Sequence, residues 1–164
     1  NALIEVWPMV AVNVVLAGIN LYFIRKLLSE RHDETAYDVL EVGLSDAYLQ
    51  HFLRVHGDDI RRFFPVADWS QPSEDRSAFL VERGDETVGV VLLRDVGGGV
   101  AQVEIDYVTP RFRDFTPGEF VYRRSGLFTD RGFRKVVTPV GMVSPYYDRL
   151  GFHQEKSGWV LDLA

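Results

Sequence analysis

From Val6 to Ile24 the chain reads VWPMVAVNVVLAGINLYFI, a run without a single charge whose only polar members are Asn13 and Asn20. Such a run folds as a helix that is either packed inside protein or immersed in lipid, because water contact around its whole circumference is unfavourable. A helix rises about 1.5 Å per residue, so this one nearly crosses a hydrocarbon core of about 30 Å. Trp7 and Tyr22 fall near the two ends, where aromatic belts form; Glu5 precedes the run, and Arg25, Lys26 and Arg31 follow it. By the positive-inside bias, the remainder of the chain is expected in the cytoplasm, tethered to the inner (cytoplasmic) membrane through residues 6–24. The competing expectation is a buried helix that packs on the domain or self-associates with a second copy. Asn1-Ala2 ahead of Leu3 reads as the remnant of an expression tag, which makes the chain a fragment of something longer.

The 164 residues leave room for one further domain, so residues 1–34 are expected to be tag remnant, hydrophobic helix and linker, and residues 35–164 a single folded unit. Hydrophobic residues make up 46% of the chain and charged residues 26%, enough apolar content to bury a core. The net charge of -6 and the lack of a lysine-arginine run argue against a nucleic-acid partner, which needs a basic face. With no cysteine, disulfides, thiolate metal sites and cysteine nucleophiles are all excluded.

Periodicity sets out the elements. Tyr37 to Val42 alternates as a first strand, and Ser45 caps a helix carrying Tyr48, Leu49, Phe52, Leu53 and Val55 on one face. Gly57 is expected to break that helix, and Asp58 to cap a short second one with Ile60, Phe63 and Phe64. Three strands follow as a meander, at 78–83, 87–93 and 100–109, separated by Gly84-Asp85 and Gly97-Gly98-Gly99. A helix is expected from Pro117 to about Arg131, a strand at 135–138, a helix from Pro145 to Leu150 closed by Gly151, and a last strand at 159–163. This order describes an α/β (α+β) domain whose central sheet mixes parallel and antiparallel pairs, flanked by helices.

The junction after the third strand of the meander is the informative place. It reads Tyr107-Val108-Thr109-Pro110-Arg111-Phe112-Arg113-Asp114-Phe115-Thr116-Pro117-Gly118-Glu119. Thr116 suits an N-cap, Pro117 the first helical position and Glu119 the third place of a capping box. A strand that delivers a loop to a helix N-terminus brings free N–H groups and the positive dipole end together, and Arg111 and Arg113 add charge. The result is either a pyrophosphate cradle in outline or simply a well-capped helix.

This loop, the order of elements and the sequence Tyr147-Asp148-Arg149-Leu150-Gly151-Phe152 together resemble the GCN5-related N-acetyltransferase (GNAT) family. That family's phosphate loop, Arg/Gln-x-x-Gly-x-Gly/Ala, is matched by Arg113, Thr116 and Gly118; its Val-x-Pro by Val108-Thr109-Pro110; its closing Tyr-x-x-x-Gly-Phe by Tyr147, Gly151 and Phe152. The resemblance covers roughly Tyr37 to Leu163. It implies a GNAT fold preceded by one hydrophobic helix, the last helix of a larger bacterial membrane protein. It also implies acetyl-CoA as co-substrate, without a metal, held by Tyr107, Val108, Arg113, Asp114, Phe115, Thr116 and Gly118, with direct transfer to an amine acceptor. Thr116 in place of glycine, and Pro117 with its missing N–H, depart from the family pattern. They support the alternative of a catalytically inactive, CoA-sensing or interaction module.

Direct transfer needs a proton acceptor for the attacking ammonium and a donor for the departing thiolate. Strict alternation puts Glu104, Asp106 and Val108 on one face of their strand, and Glu104 stands where some family members carry the base. Tyr147 matches the tyrosine that often serves the sulfur, with Tyr146 as its neighbour. Phe63, Phe64 and Trp69 are expected on the acceptor side. His51 and His56 lie five apart, which does not place both on one helix face for a metal; His32 and His153 are isolated.

Overall fold

The computed structural model describes residues 2–31, 37–69, 73–113, 116–139, 141–142, 146–156 and 158–163. The chain divides into two units, residues 1–33 and 34–164. In the first, α1 (Ala2–Arg31) is one unbroken helix whose stretch Met9–Leu27 has the length and apolar character to cross a membrane. Between Met9 and Leu27 its valines, leucines and isoleucines stand on every side, so that stretch has no continuous polar face.

The second unit is a seven-stranded sheet. Its strands are β1 (Tyr37–Val42), β2 (Arg76–Arg83), β3 (Glu86–Asp95), β4 (Val100–Val108), β5 (Lys135–Val137), β6 (His153–Glu155) and β7 (Gly158–Asp162). They lie in the order β1-β2-β3-β4-β5-β7-β6, and β4–β5 is the parallel pair. One face is covered by α2 (Ala47–Phe63), which buries Leu49, Phe52, Leu53 and Ile60 against Ala78, Leu80, Val90, Leu92, Ile105 and Tyr107. The other face carries Phe79, Val81, Val91, Leu93, Ala101 and Val103. They pack under Val121, Tyr122, Phe128, Tyr147, Leu150 and Phe152 from the second half of the chain. β6 has no counterpart in the expected strands. All three of its residues are exposed on an edge, so no alternation marks it.

Four helical features differ from expectation. Asp46, not Ser45, caps α2: its carboxylate accepts the Tyr48 and Leu49 N–H groups at 2.8 and 3.1 Å. Gly57 does not break α2, because the buried stripe from Leu49 to Ile60 runs straight across it. Burial of that stripe outweighs the roughly 1 kcal/mol that an interior glycine costs. The helix after the phosphate-type loop is short. It opens as α3 (Thr116–Glu119), widens into a π turn over Phe120–Arg124, and stops. There the Ser125 hydroxyl donates to Val121 O at 2.7 Å, and Gly126 adopts φ +69°, which together end the helix well before Arg131. The last expected helix is a single 3-10 turn, Tyr147–Leu150, closed by Gly151.

β4 departs from regular pairing. Its register with β3 passes from Leu92↔Ile105 to Leu93↔Val103, which leaves Glu104 as the extra residue of a bulge. The bulge exchanges the faces: Ala101 and Val103 join one core, Ile105 and Tyr107 the other. Glu104 and Asp106 therefore point to opposite sides of the sheet, against the expectation from strict alternation. At the far end of the same pair, Gly89 sits so close to β4 that a Cβ there would meet the Tyr107 carbonyl oxygen at 2.6 Å. Gly89→Ala is expected to destabilise the domain by about 1–3 kcal/mol, since the obstacle is backbone and not a movable side chain. Urea unfolding of both proteins checks this, with a lowered midpoint expected for the variant.

Candidate active site

The parallel pairing of β4 and β5 is brief. It comprises Val100↔Lys135, Ala101↔Val136 and Gln102↔Val137, while β4 runs on to Val108. After Val137 the chain turns to β7, where the Thr138 N–H donates to Trp159 O at 3.0 Å and Thr138 Oγ1 accepts the Trp159 N–H at 3.0 Å. From Val103 onward, the β4 edge that faces β5 has no strand partner among the described residues. Met142 packs against both cores.

On the α2 side the opening adjoins a cavity of about 370 Å³. Its walls are mostly apolar, from Phe64 to Ala67, Val96, Val103, Pro139 and Met142, with Asp68, Arg94, Gln102 and Glu104 as the polar groups. Phe64 stands on this wall, whereas Phe63 and Trp69 do not line the cavity. Glu104 is held between two arginines. Arg76 Nε lies 2.5 Å from Oε2, and Arg94 reaches Oε1 through Nε at 2.9 Å and Nη2 at 2.7 Å.

On the opposite face, the buried carboxyl of Asp106 gathers three phenols. Tyr122, Tyr146 and Tyr147 all donate to Oδ2, at 3.0, 2.7 and 3.0 Å. Burial pushes the Asp106 carboxyl above its ordinary value of 3.8, and the three hydroxyl donors oppose that push. Burial and the neighbouring Asp106 charge likewise raise all three phenols, which stay protonated and donating. The Tyr147 ring is fully buried, and Tyr146 stacks on it with ring centroids 5.0 Å apart. Sequence reasoning singled out Tyr147 and Asp106 separately. Their bond joins residues 41 apart, and nothing local in the sequence announces it.

Tyr107 and Arg113 meet at the end of β4, around Asp59 of α2. The Tyr107 hydroxyl donates to Asp59 Oδ2 at 2.9 Å and stands 3.2 Å from His56 Nδ1. Arg113 Nη2 bonds the same Asp59 oxygen, and its Nε donates to Val108 O at 2.8 Å. Burial works to raise Asp59, but the bonds from Arg113 and Tyr107 outweigh it and hold the carboxyl below its usual range. Burial lowers His56. Asp59 and His56 were missed as site residues, although their i, i+3 spacing places them on one face of α2. The signal that would have found them is contact with Tyr107, which only the fold supplies.

The remaining expected ligands separate. The Thr116 backbone opens α3, and Val108 packs against the core beneath it. Asp114 and Phe115 lie outside the described residues. Gly118 is buried under Tyr146: a Cβ there would meet the phenol oxygen at 2.6 Å. The structure brings Gly118, Tyr146, Tyr147 and Asp106 together on one face, and Tyr107 with Arg113 at the strand end. It sets Glu104 apart on the other face.

No protein-family model matches the sequence, and no curated protein does. Solved structures do match. The GNAT domain of S. lividans PAT has 16% sequence identity and a TM-score of 0.56, with 76% of this chain and 89% of that chain covered. The E. coli protein YhhK bound to coenzyme A has 13% identity and a TM-score of 0.56, covering 77% and 98%. The Bacillus subtilis acetyltransferase in complex with CoA has 14% identity and a TM-score of 0.52, covering 78% and 99%.

The Asp106 cluster makes stability depend on pH. The folded pKa lies above the unfolded one, so its contribution is complete below about pH 3.8 and is lost as pH rises through the folded value. Asp106→Asn is expected to remove this decline. Denaturant midpoints of both proteins, followed upward from pH 4, check it. The sheet order, its one short parallel pair and these structural matches agree on one point: the domain has the GNAT fold.

Proposed function

We propose that this domain transfers an acetyl group from acetyl-CoA to an amine by direct attack, at the cytoplasmic face of the inner membrane. The observation that carries the reading is the β4 edge, without a strand partner among the described residues from Val103 onward, beside a cavity, in a fold that two solved structures show with CoA bound. An extended strand edge offers evenly spaced N–H and C=O groups, which suit the amide-bearing arm of CoA. The thioester supplies an activated acetyl group. Everything else is the work of the chain.

Arg113 is the cation offered to a pyrophosphate, with the backbone N–H groups that open α3. Taking up a phosphate requires it to release Asp59, which keeps its bond from Tyr107. Glu104 lies at the acceptor cavity and receives the ammonium proton, directly or through water. Tyr147 returns a proton to the departing sulfur. Its hydroxyl hydrogen is committed to Asp106 while that carboxyl is ionised. A protonated Asp106 donates to the phenol oxygen instead and frees the Tyr147 hydrogen for the thiolate. The raised Asp106 pKa keeps that protonated form accessible. α1 supplies the membrane tether.

A second reading is a CoA-sensing or interaction module without turnover. Tyr146 packed onto Gly118 favours it, since that ring fills the place expected of a phosphate.

Calorimetry of the full chain in detergent with acetyl-CoA is expected to give micromolar binding, weakened about tenfold or more in Arg113→Ala. Absence of binding at millimolar ligand by a folded chain would favour a module that uses neither CoA nor catalysis. With an accepted amine, Glu104→Gln and Tyr147→Phe are each expected to lower kcat by about a hundredfold. Binding without turnover for any amine supports the second reading. For the tether, the full chain should fractionate with membranes and a chain beginning at Thr35 should not; identical partition refutes it.

A further inference from the structure

Two amides interrupt the apolar surface of α1 ahead of its basic end. Asn13 and Asn20 both stand exposed on the helix, and neither side chain has a hydrogen-bond partner among the described residues. Their spacing of seven puts them on one face, about 10 Å apart along the axis. Hydrocarbon offers no water to a primary amide, so an amide left bare in it costs free energy. The interval of seven is also that of a packing seam between helices. With Asn13 and Asn20 as first positions of successive heptads, the fourth positions are Met9, Leu16 and Phe23, and the next first position is Leu27. Each of these four apolar side chains is more than half exposed. Arg25 falls with Ala11 and Gly18 at the sixth position, directly away from the seam, and Lys26 falls at its flank.

The amides decide what covers this face. Apolar side chains in lipid gain little by exchanging acyl chains for another helix, so the valines and leucines select no side of α1. A primary amide both donates and accepts, and its ready partner is a second primary amide. A partner helix must therefore present such a group at each of two depths, about 10 Å apart, with apolar side chains between them. A second copy of α1 meets that demand. The charge bias that orients one copy orients every copy alike, so two copies cross the membrane in parallel and equal residues meet at equal depth. In a parallel pair, asparagine at a first heptad position faces its own counterpart and fixes the register and the two-stranded state. We infer that α1 pairs with a second copy of this chain in the membrane, as a parallel two-helix coil in which Asn13 bonds the partner's Asn13 and Asn20 the partner's Asn20. The inference names a partner for the tethered chain. It rests on the membrane reading of α1 and asks nothing of the acetyl-transfer chemistry.

The chain contains no cysteine, so a single introduced one reports on its own position. The full chain carrying Leu16→Cys, Ala11→Cys or Gly18→Cys is oxidised in membranes, and the disulfide-linked dimer is read on a non-reducing gel. Leu16 lies on the seam, where facing Cβ atoms come within disulfide range, whereas Ala11 and Gly18 lie on the far side, beyond it. Leu16→Cys is expected to link, and the other two to link about tenfold less or not at all. Adding Asn13→Leu and Asn20→Leu to Leu16→Cys should raise by about tenfold or more the protein-to-lipid ratio needed for the same dimer fraction. Leucine suits both helix and lipid, so those replacements leave insertion intact. Equal linking from all three positions overturns the inference, as does a dimer that survives the double replacement or a Leu16→Cys link to a different protein. Fractionation of the same samples keeps two failures apart. A chain absent from the membrane fraction refutes the tether and the inference with it; a membrane-bound chain without the Leu16→Cys dimer refutes the inference alone.

Discussion

Thr138 is where the sheet commits itself. Its buried side chain and backbone both bond Trp159, and those bonds draw the chain after β5 toward β7 and away from β4. β4 is already tied to β3 along its other edge as far as Gly89↔Val108, so it cannot follow. The parallel pair must therefore open, and everything that distinguishes the domain from a closed sheet follows from that opening. Among the described residues no strand pairs with this edge of β4 beyond Gln102, Met142 packs against both cores, and a cavity forms where α2 ends at Phe64. An opened parallel pair with a helix start nearby is the kind of crevice in which mixed α/β sheets hold ligands.

The Glu104 bulge decides how two acids share one strand. Without it, Glu104 and Asp106 would lie on one face about 7 Å apart, and two carboxylates at that distance in a dry site repel. With it, each acid meets a different solution. Glu104 is matched by two guanidiniums beside the cavity. Asp106 receives three neutral hydroxyls, which soften but do not cancel the loss of water, and its pKa rises. One strand thus carries one acid to the cavity and the other to the tyrosine cluster on the opposite face.

The sequence revealed what depends on neighbours in the chain. The meander was legible because Ala78–Val81 and Val88–Leu93 are short apolar runs of strand length, and because glycines mark the turns. The opening of β4 from β5 was not, since it depends on Trp159, more than twenty residues from Thr138. The bulge was hidden because Val103-Glu104-Ile105-Asp106-Tyr107 reads as unbroken alternation, which a bulge leaves no trace upon. Gly57 misled because a glycine's local cost is small against a buried stripe that spans it. The Asp106–Tyr147 bond and the Tyr107–Asp59 bond join distant segments, and no short window contains either. Local signals located the loop at Arg113 and the tyrosines; which groups they face is a property of the fold.

Arg113 shows why occupied partners do not argue against a ligand. In the free structure it neutralises Asp59 and lies over the rings of Phe63 and Tyr107 at 4.8 and 5.2 Å. A pyrophosphate would present more negative charge than one carboxylate, so the exchange is favourable for Arg113. The cost falls on Asp59, and there it is limited. Tyr107 continues to donate to Asp59, and Arg62 stands 3.8 Å from its other oxygen. Beside it, burial and then the Arg113 charge lower the His56 pKa, and Asp59 opposes them. The helix residues thus hold the arginine in place without requiring it, and the same contacts that order the loop leave it able to let go.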